Sequence, residues 1–460
     1  MAIDRKMFVL GLDCAAPRLL FERWKEVLPH FASLMDGGLY GPMRSCDPPI
    51  TVPAWSVMTT GADPGELGVY GFHNRASHNY FDHFVANGSH IRKPRLWDIL
   101  SAAGRQSIVI GVPQTFPVKP LRGYMVAGLL ARDSDNFTWP ARLKQSLLKH
   151  VPHYRTDIKD FRHTSPEMLL KALYKMTAAR FKWAQHMLKH YPWDFFMLVE
   201  IGLDRLHHAF WHYMDEESPY HQTDNPYRQA IRDYYLFLDE ELGRLLKILS
   251  PATDVMIVSD HGAQTMKGLL RINQWLINEG YLVLKTSPGN SRRLDAAMID
   301  WGKTQVWADG GYYARLYFNV RGREPLGVVP PASLPALKAE LEKKLSQLKL
   351  SGNIPVKGRI IDPGESYREV EGIAPDLMLY VGELAYRVSA SVGGAENIFT
   401  LNNDTGPDGA NHDFDGIFIF KGEGVARGKL TRCDIYDVAP TILARMGHAQ
   451  VGDMKGRVLG

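Results

Sequence analysis

Seven short apolar runs, closed by Gly, Pro or Asp, recur along the chain at residues 7–12, 107–112, 124–129, 195–201, 254–259, 377–381 and 416–420. Runs of this length without alternating polar positions predict strands buried on both faces, as in a parallel sheet. Helical periodicity fills much of the space between them. The clearest stretches are 165–191, opened by Ser165 with Pro166 behind it, and 225–249, opened by Asn225 with Pro226. Strand alternating with helix predicts an α/β fold with a mainly parallel central sheet and helices on both faces. Two regions break the rhythm. Residues 130–190 read as mostly helical, and 280–375 mix candidate strands with a Pro-rich link and a charged helix. Both are expected to be insertions, the second a cap or subdomain, on a single domain spanning 1–460.

The stretch "PPITVPAWSVMTTG", Pro48 to Gly61, sets Thr51 between Pro49 and Pro53. Proline at 53 biases Val52 toward extended geometry, so Thr51 is expected on a stiff, extended approach to a helix that starts near Pro53 and stops at Gly61. Such an approach serves either an ordinary connecting loop or a nucleophile.

Composition narrows the class. A chain of 460 residues with 45% hydrophobic and 11% aromatic side chains can bury a large core. Its 54 basic and 50 acidic residues leave a net charge of only +4 and form no sustained basic block, which argues against a dedicated nucleic-acid or membrane surface. Cys14, Cys46 and Cys433 are odd in number and lack a CxxC pair, so neither a disulfide framework nor a thiolate zinc site is expected. The apolar run before Asp13 is too short for a signal peptide or a membrane span, and the expectation is a soluble cytoplasmic protein.

Chemistry collects where apolar runs end: "FVLGLDC" at Asp13, "FFMLVEIGLDRLHH" at Asp204 to His208, and "VMIVSDHG" at Asp260 and His261. In an open α/β sheet, ligands bind beyond the carboxyl ends of the strands, so these carboxylates should converge on one rim. Asp204 and His208 are four apart, which one helical turn places on the same side, with His207 pointing elsewhere. Singly, each motif has an ordinary reading as a helix cap or turn residue, and His412 in "GANHDFDGIFIF" reads as a loop histidine. Together, Asp13, Asp204, Asp260, His208, His261 and His412 form an oxygen and imidazole set suited to Zn²⁺, or to Mn²⁺ or Fe²⁺. Two divalent ions against three carboxylates leave one positive charge for an alkoxide to offset. Such a site attracts phosphate or sulfate esters, and a metal can activate a threonine hydroxyl that has no neighbouring general base.

These motifs, in this order, together with the closing "DIYDVAPTILARMG", resemble the alkaline phosphatase superfamily over residues 7–460. The branch resembles the type I phosphodiesterase and nucleotide pyrophosphatase group, or its phosphohydrolase/phosphomutase relatives. The resemblance implies a site for two metal ions, usually zinc. One ion would be held by Asp204, His208 and His412, and the other by Asp13, Asp260 and His261 in contact with Thr51. It further implies that Thr51 attacks phosphorus in line and that metal-bound hydroxide then hydrolyses the phosphothreonine formed. Departures are visible. Leu67 and Gly68 stand where related diesterases carry His-Gly, and Phe72 where they carry an Asn that steadies a phosphoryl oxygen, with Asn74 or Arg75 as candidate substrate-binding substitutes. No Cys-x-Pro-Ser-Arg segment of the kind expected of sulfatases is present, and Cys46 reads as a buried thiol.

The expected function is therefore hydrolysis of a phosphodiester or pyrophosphate bond in a small-molecule phosphate ester, with nucleotides as candidates. Trp55, Tyr70, Phe72 and Trp211 are candidates for stacking on a base, although such residues more often pack cores. The alternative within enzymes is a phosphomonoesterase or phosphomutase on a small metabolite. The alternative outside them is a catalytically silent binding protein, which has no reason to keep a nucleophile beside metal ligands.

Overall fold

The computed structural model describes residues 5–349, 355–394, 397–403, 406, 408–448 and 454–460. The first four residues, where the N-terminal reading began, lie outside that set. Met7–Leu12 (β1) runs through the centre of a ten-stranded sheet, with Phe195–Glu200 (β2) and Asp254–Val258 (β3) parallel to it on either side. Ser107–Ile110 and Gly123–Val126 continue the parallel order beyond β2. Phe8, Leu10 and Leu12 of β1 enter one hydrophobic cluster, Met7 and Val9 another, so both faces of the strand are buried. That double burial is why its sequence is apolar without alternation.

Helices cover both faces, as expected. The long helix Pro166–His190 buries Leu169, Leu173, Met176, Phe181 and Met187 in the cluster that holds Phe8 and Leu10. It is thus a layer of the core, although its sequence read as part of an insertion. The opposite face is covered by Thr51–Thr60 (α1) and Val438–Arg445. The helix expected over 225–249 starts only at Ala230, because Asn225 instead closes a turn by accepting from the Tyr227 amide at 2.9 Å.

Two strand expectations are corrected. Asp415–Lys421 lies in the main sheet but antiparallel to β3 and to Leu39–Arg44. Leu377–Val381 belongs to a separate seven-stranded sheet, antiparallel to Ala314–Phe318 and Gly358–Ile361. An apolar pentapeptide has the same pattern in either sheet and in either direction, so periodicity alone cannot place it. This second sheet takes strands from Gly268–Arg271 to Phe399–Thr400, beyond both limits of the expected 280–375 insertion. Gly262–Thr265 (β4) and Ala410–Asp413 (β5) form a two-stranded antiparallel ladder with Ala263 opposite His412; in the chain β4 leads from β3 into the second sheet and β5 follows its last strand.

Candidate metal centre

Asp13 follows β1, and Asp260 and His261 follow β3, so both segments leave the same end of parallel strands. After β2 the chain turns into Gly202–Met214 (α2), whose first turn carries Asp204 and whose second carries His208. His412 comes from β5, whose pairing with β4 holds it near His261. His412, which taken alone reads as a loop histidine, is a buried strand residue. These side chains form two groups, Asp13–Asp260–His261 and Asp204–His208–His412, each with its potential ligand atoms within 4.8 Å of one another. The groups adjoin, since the His261 and His412 rings stack with centroids 3.7 Å apart.

Thr51 is the first residue of α1 rather than part of an extended approach; Ile50 before it is the extended residue, at φ −124° and ψ 137°. Pro53 is tolerated in the first turn because an amide there has no intrahelical acceptor, and the burial of Val52 overrides its pre-proline bias. Gly61 ends the helix in the left-handed region at φ 71°, as expected from the sequence. The Thr51 hydroxyl lies 3.4 Å from His261 Nε2. All seven side chains are 3% exposed or less.

Hydrogen bonds aim the donor atoms inward. His208 Nδ1 faces Asp408 Oδ1 at 2.8 Å, His412 Nδ1 faces the Pro49 carbonyl at 2.8 Å, and His261 Nδ1 faces the Gly262 carbonyl at 3.1 Å. An oxygen acceptor at each Nδ1 takes the proton there, so each ring, when neutral, presents an Nε2 lone pair to the site. Those Nε2 atoms lie near carboxylate oxygens: His261 is 3.2 Å from Asp260 Oδ2, and His208 is 3.3 Å from Asp204 Oδ1.

Each carboxylate has one oxygen engaged and one without a hydrogen-bond partner. Asp13 Oδ2 accepts from Trp55 Nε1 at 2.7 Å, Asp260 Oδ1 from the Cys14 amide at 3.2 Å, and Asp204 Oδ2 from Arg205 at 2.6 Å. Asp13 Oδ1, Asp260 Oδ2 and Asp204 Oδ1 are buried and have no such partner. Burial raises the Asp13 and Asp260 carboxyls well above their ordinary range, and neighbouring carboxylates add to the effect. At Asp204 burial is outweighed by His208, with help from Arg205, and the carboxyl is held low. Burial depresses His261 to about 4 and His412 well below its ordinary value. The Asp13–Asp260–His261 group, with carboxyls that resist ionisation beside an imidazole that resists protonation, is short of positive charge. At His208, by contrast, burial is outweighed by Asp408, Tyr312 and Asp204, which raise the imidazole well above its ordinary value and pair it with Asp204. Orphaned oxygens, inward lone pairs and the absence of thiolates fit divalent cations of the zinc, manganese or iron kind.

Other expected site residues have different partners. Asn74 closes a turn, accepting from the Tyr70 amide at 2.7 Å and donating to the Gly71 carbonyl at 3.0 Å. Arg75 is buried, pairs with Glu324 at 3.2 Å and packs over Trp307 and Tyr317. Asn74 uses its side-chain oxygen and nitrogen within its own turn, whereas Arg75 Nε and Nη2 have no hydrogen-bond partner. Trp55, Tyr70 and Trp211 are buried and Phe72 packs against the core, which removes the first three as base-stacking surfaces. The sequence reading missed Asp408, which precedes His412 by four residues in "DGANH" and also pairs with Arg162 at 3.0 Å and Arg387 at 2.7 Å. It missed Tyr312 as well, whose ring stacks on His412 at 4.0 Å.

The family of type I phosphodiesterases and nucleotide pyrophosphatases matches residues 7–415 of this chain. No curated protein sequence matches it. Among solved structures, human ectonucleotide pyrophosphatase/phosphodiesterase 5 superposes with a TM-score of 0.56 at 13% identity, over 97% of this chain and 96% of the other. An inactive variant of the murine counterpart, in complex with AMP, gives 0.55 at 12% over the same shares. Phosphonoacetate hydrolase from Sinorhizobium meliloti, in complex with phosphonoformate, gives 0.58 at 14% over 96% of each chain. At these identities the structural likeness concerns the fold.

Proposed function

The chain belongs to the type I phosphodiesterase/nucleotide pyrophosphatase family of phosphate-ester hydrolases, and from that premise we propose that it cleaves a phosphodiester or pyrophosphate bond through Thr51. The observation that carries this reading is the placement of the Thr51 hydroxyl, 3.4 Å from His261 Nε2 and at the N-terminus of α1. The two groups would hold two divalent ions, zinc in our reading. Bound there, the ions supply positive charge for the phosphoryl oxygens and lower the proton affinity of a neighbouring hydroxyl.

The chain's own residues do the rest. Thr51 attacks phosphorus, the bond to the leaving oxygen breaks, and water later releases the phosphoryl group from Thr51. The first hydrogen bond of α1 runs from the Ala54 amide to the Ile50 carbonyl, so the amides of Thr51 and Val52 have no intrahelical acceptor and can hold a phosphoryl oxygen. Structural neighbours with AMP and with phosphonoformate support a small phosphoryl ligand. The second sheet serves in this reading as a cap that brings Tyr312 and Arg387 against the site. Three buried, free cysteines support a reducing compartment, and among the described residues no helix is long and apolar enough to cross a membrane.

The test is Thr51→Ala, assayed with zinc or manganese on bis-p-nitrophenyl phosphate and p-nitrophenyl phosphate. We expect turnover to fall by about 10³-fold or more with bound metal unchanged. Parental rates in the variant would remove Thr51 as nucleophile, and a strong preference for the monoester would replace the diesterase assignment.

A further inference from the structure

The Tyr312 hydroxyl lies 3.2 Å from His208 Nε2, and Arg162 donates to the same hydroxyl at 3.0 Å. His208 Nδ1 already faces Asp408, so Nε2 is the atom His208 offers to a cation. Once Nε2 is taken, the Tyr312 hydroxyl loses that neighbour. Arg162 is a donor only and cannot accept the hydroxyl hydrogen, which must then find another acceptor inside the site.

The ring is held in place. It stacks on His412 at 4.0 Å, with the Arg387 guanidinium 4.8 Å from its centre. Two glycines deliver it. A Cβ at Gly310 would stand 2.4 Å from the Val388 carbonyl oxygen, and Gly311, at φ +148°, exchanges two backbone hydrogen bonds with Val388 at 2.8 and 2.9 Å. The direction follows from in-line displacement, in which attacking and leaving oxygens lie on opposite sides of phosphorus. Thr51 touches the Asp13–Asp260–His261 group, whereas Tyr312 touches His208 in the other group. In that arrangement the leaving oxygen would lie on the side of the His208 group, which Tyr312 touches.

We propose that Tyr312, oriented by Arg162, is a substrate-contacting residue that donates a hydrogen bond to the leaving-group oxygen, making the site competent for poor leaving groups. This rests on the reading of Thr51 as nucleophile. It also supplies a hydrogen-bond donor to the substrate where Asn74 is engaged in its own turn. No proton is transferred in the step. The electron pair of the breaking P–O bond passes to the leaving oxygen, and the Tyr312 hydroxyl stabilises it there.

The experiment compares parent, Tyr312→Phe and Arg162→Gln as metal-loaded full chains on aryl phosphodiesters from p-nitrophenyl to phenyl. Inorganic phosphate affinity is measured by calorimetry, and metal content is determined for each protein. Loss of one donor to a developing oxyanion costs about 10²–10³-fold. For Tyr312→Phe we expect a loss of about tenfold on the p-nitrophenyl ester, growing toward that range on the phenyl ester. Phosphate should bind several-fold more weakly, with metal content unchanged. Arg162→Gln should shift the same way by less, and it carries the test if Tyr312→Phe does not fold. An equal loss across the series, unchanged phosphate affinity, or loss of metal would each overturn the proposal. Failure of the underlying reading looks different: Thr51→Ala would keep parental turnover whatever Tyr312 does.

Discussion

Trp55 Nε1 donates to Asp13 Oδ2 at 2.7 Å, tying the helix that begins with Thr51 to the carboxylate at the end of the central strand. Thr51 and Trp55 are four residues apart, so one face of α1 presents both the hydroxyl and the indole to the site. The indole lies so close to β1 that a Cβ at Gly11 would sit 2.3 Å from it, which explains a glycine in an otherwise bulky strand.

Trp55→Phe keeps most of the packing and removes this donor, leaving both Asp13 oxygens without a hydrogen-bond partner. Partners that orient metal ligands are worth about 10–100-fold in metal affinity, and that loss is expected in a chelator-competition titration. An unchanged affinity would mean that Asp13 does not need the indole to hold its orientation.

Glu200 closes β2 and organises the turn that delivers Asp204. Its Oε1 accepts from the Gly202 amide at 2.6 Å and from Thr177 at 2.8 Å, while Oε2 pairs with buried Arg180 at 3.1 Å. Glu200→Gln keeps the shape but leaves Arg180 without its counter-charge. Breaking a buried pair in this way costs about 3–5 kcal/mol, to be read from denaturant unfolding at pH 7. A change below about 1 kcal/mol would show that the Thr156 carbonyl, which accepts from Arg180 at 2.9 Å, suffices.

Burial, with Asp415 beside it, raises the Asp413 carboxyl from 3.8 to about 6. The folded chain therefore binds this proton more tightly than the unfolded chain. Stability from this group is present below pH 4 and is lost as pH rises through about 6. Asp413→Asn should raise stability by about 1–3 kcal/mol at pH 8 and hardly at all at pH 4. Equal effects at both pH values would place the cause in packing instead of ionisation.

The strands that carry the centre were legible because local rules govern them. Double burial marks β1 to β3 as apolar runs, a carboxylate follows each near its carboxyl end, and one helical turn brings Asp204 and His208 to one side. What escaped depends on contacts between distant segments. Asp408 meets His208 across 200 residues, and Tyr312 meets it across 104, with no periodicity linking either pair. The direction of 415–421 and the sheet of 377–381 were lost for the same reason: strand pairing leaves no trace in a uniformly apolar run. At Thr51 a local rule was read correctly and then overridden, since packing of Val52 outweighs what Pro53 disfavours.

The central claim is that two cations sit side by side against Thr51. Anomalous diffraction from crystals equilibrated with zinc tests it most directly. The account predicts two peaks, one about 2.0–2.2 Å from ligand atoms of Asp13, Asp260 and His261 and the other at the same range from Asp204, His208 and His412. A map with zinc bound elsewhere and neither group occupied would contradict it.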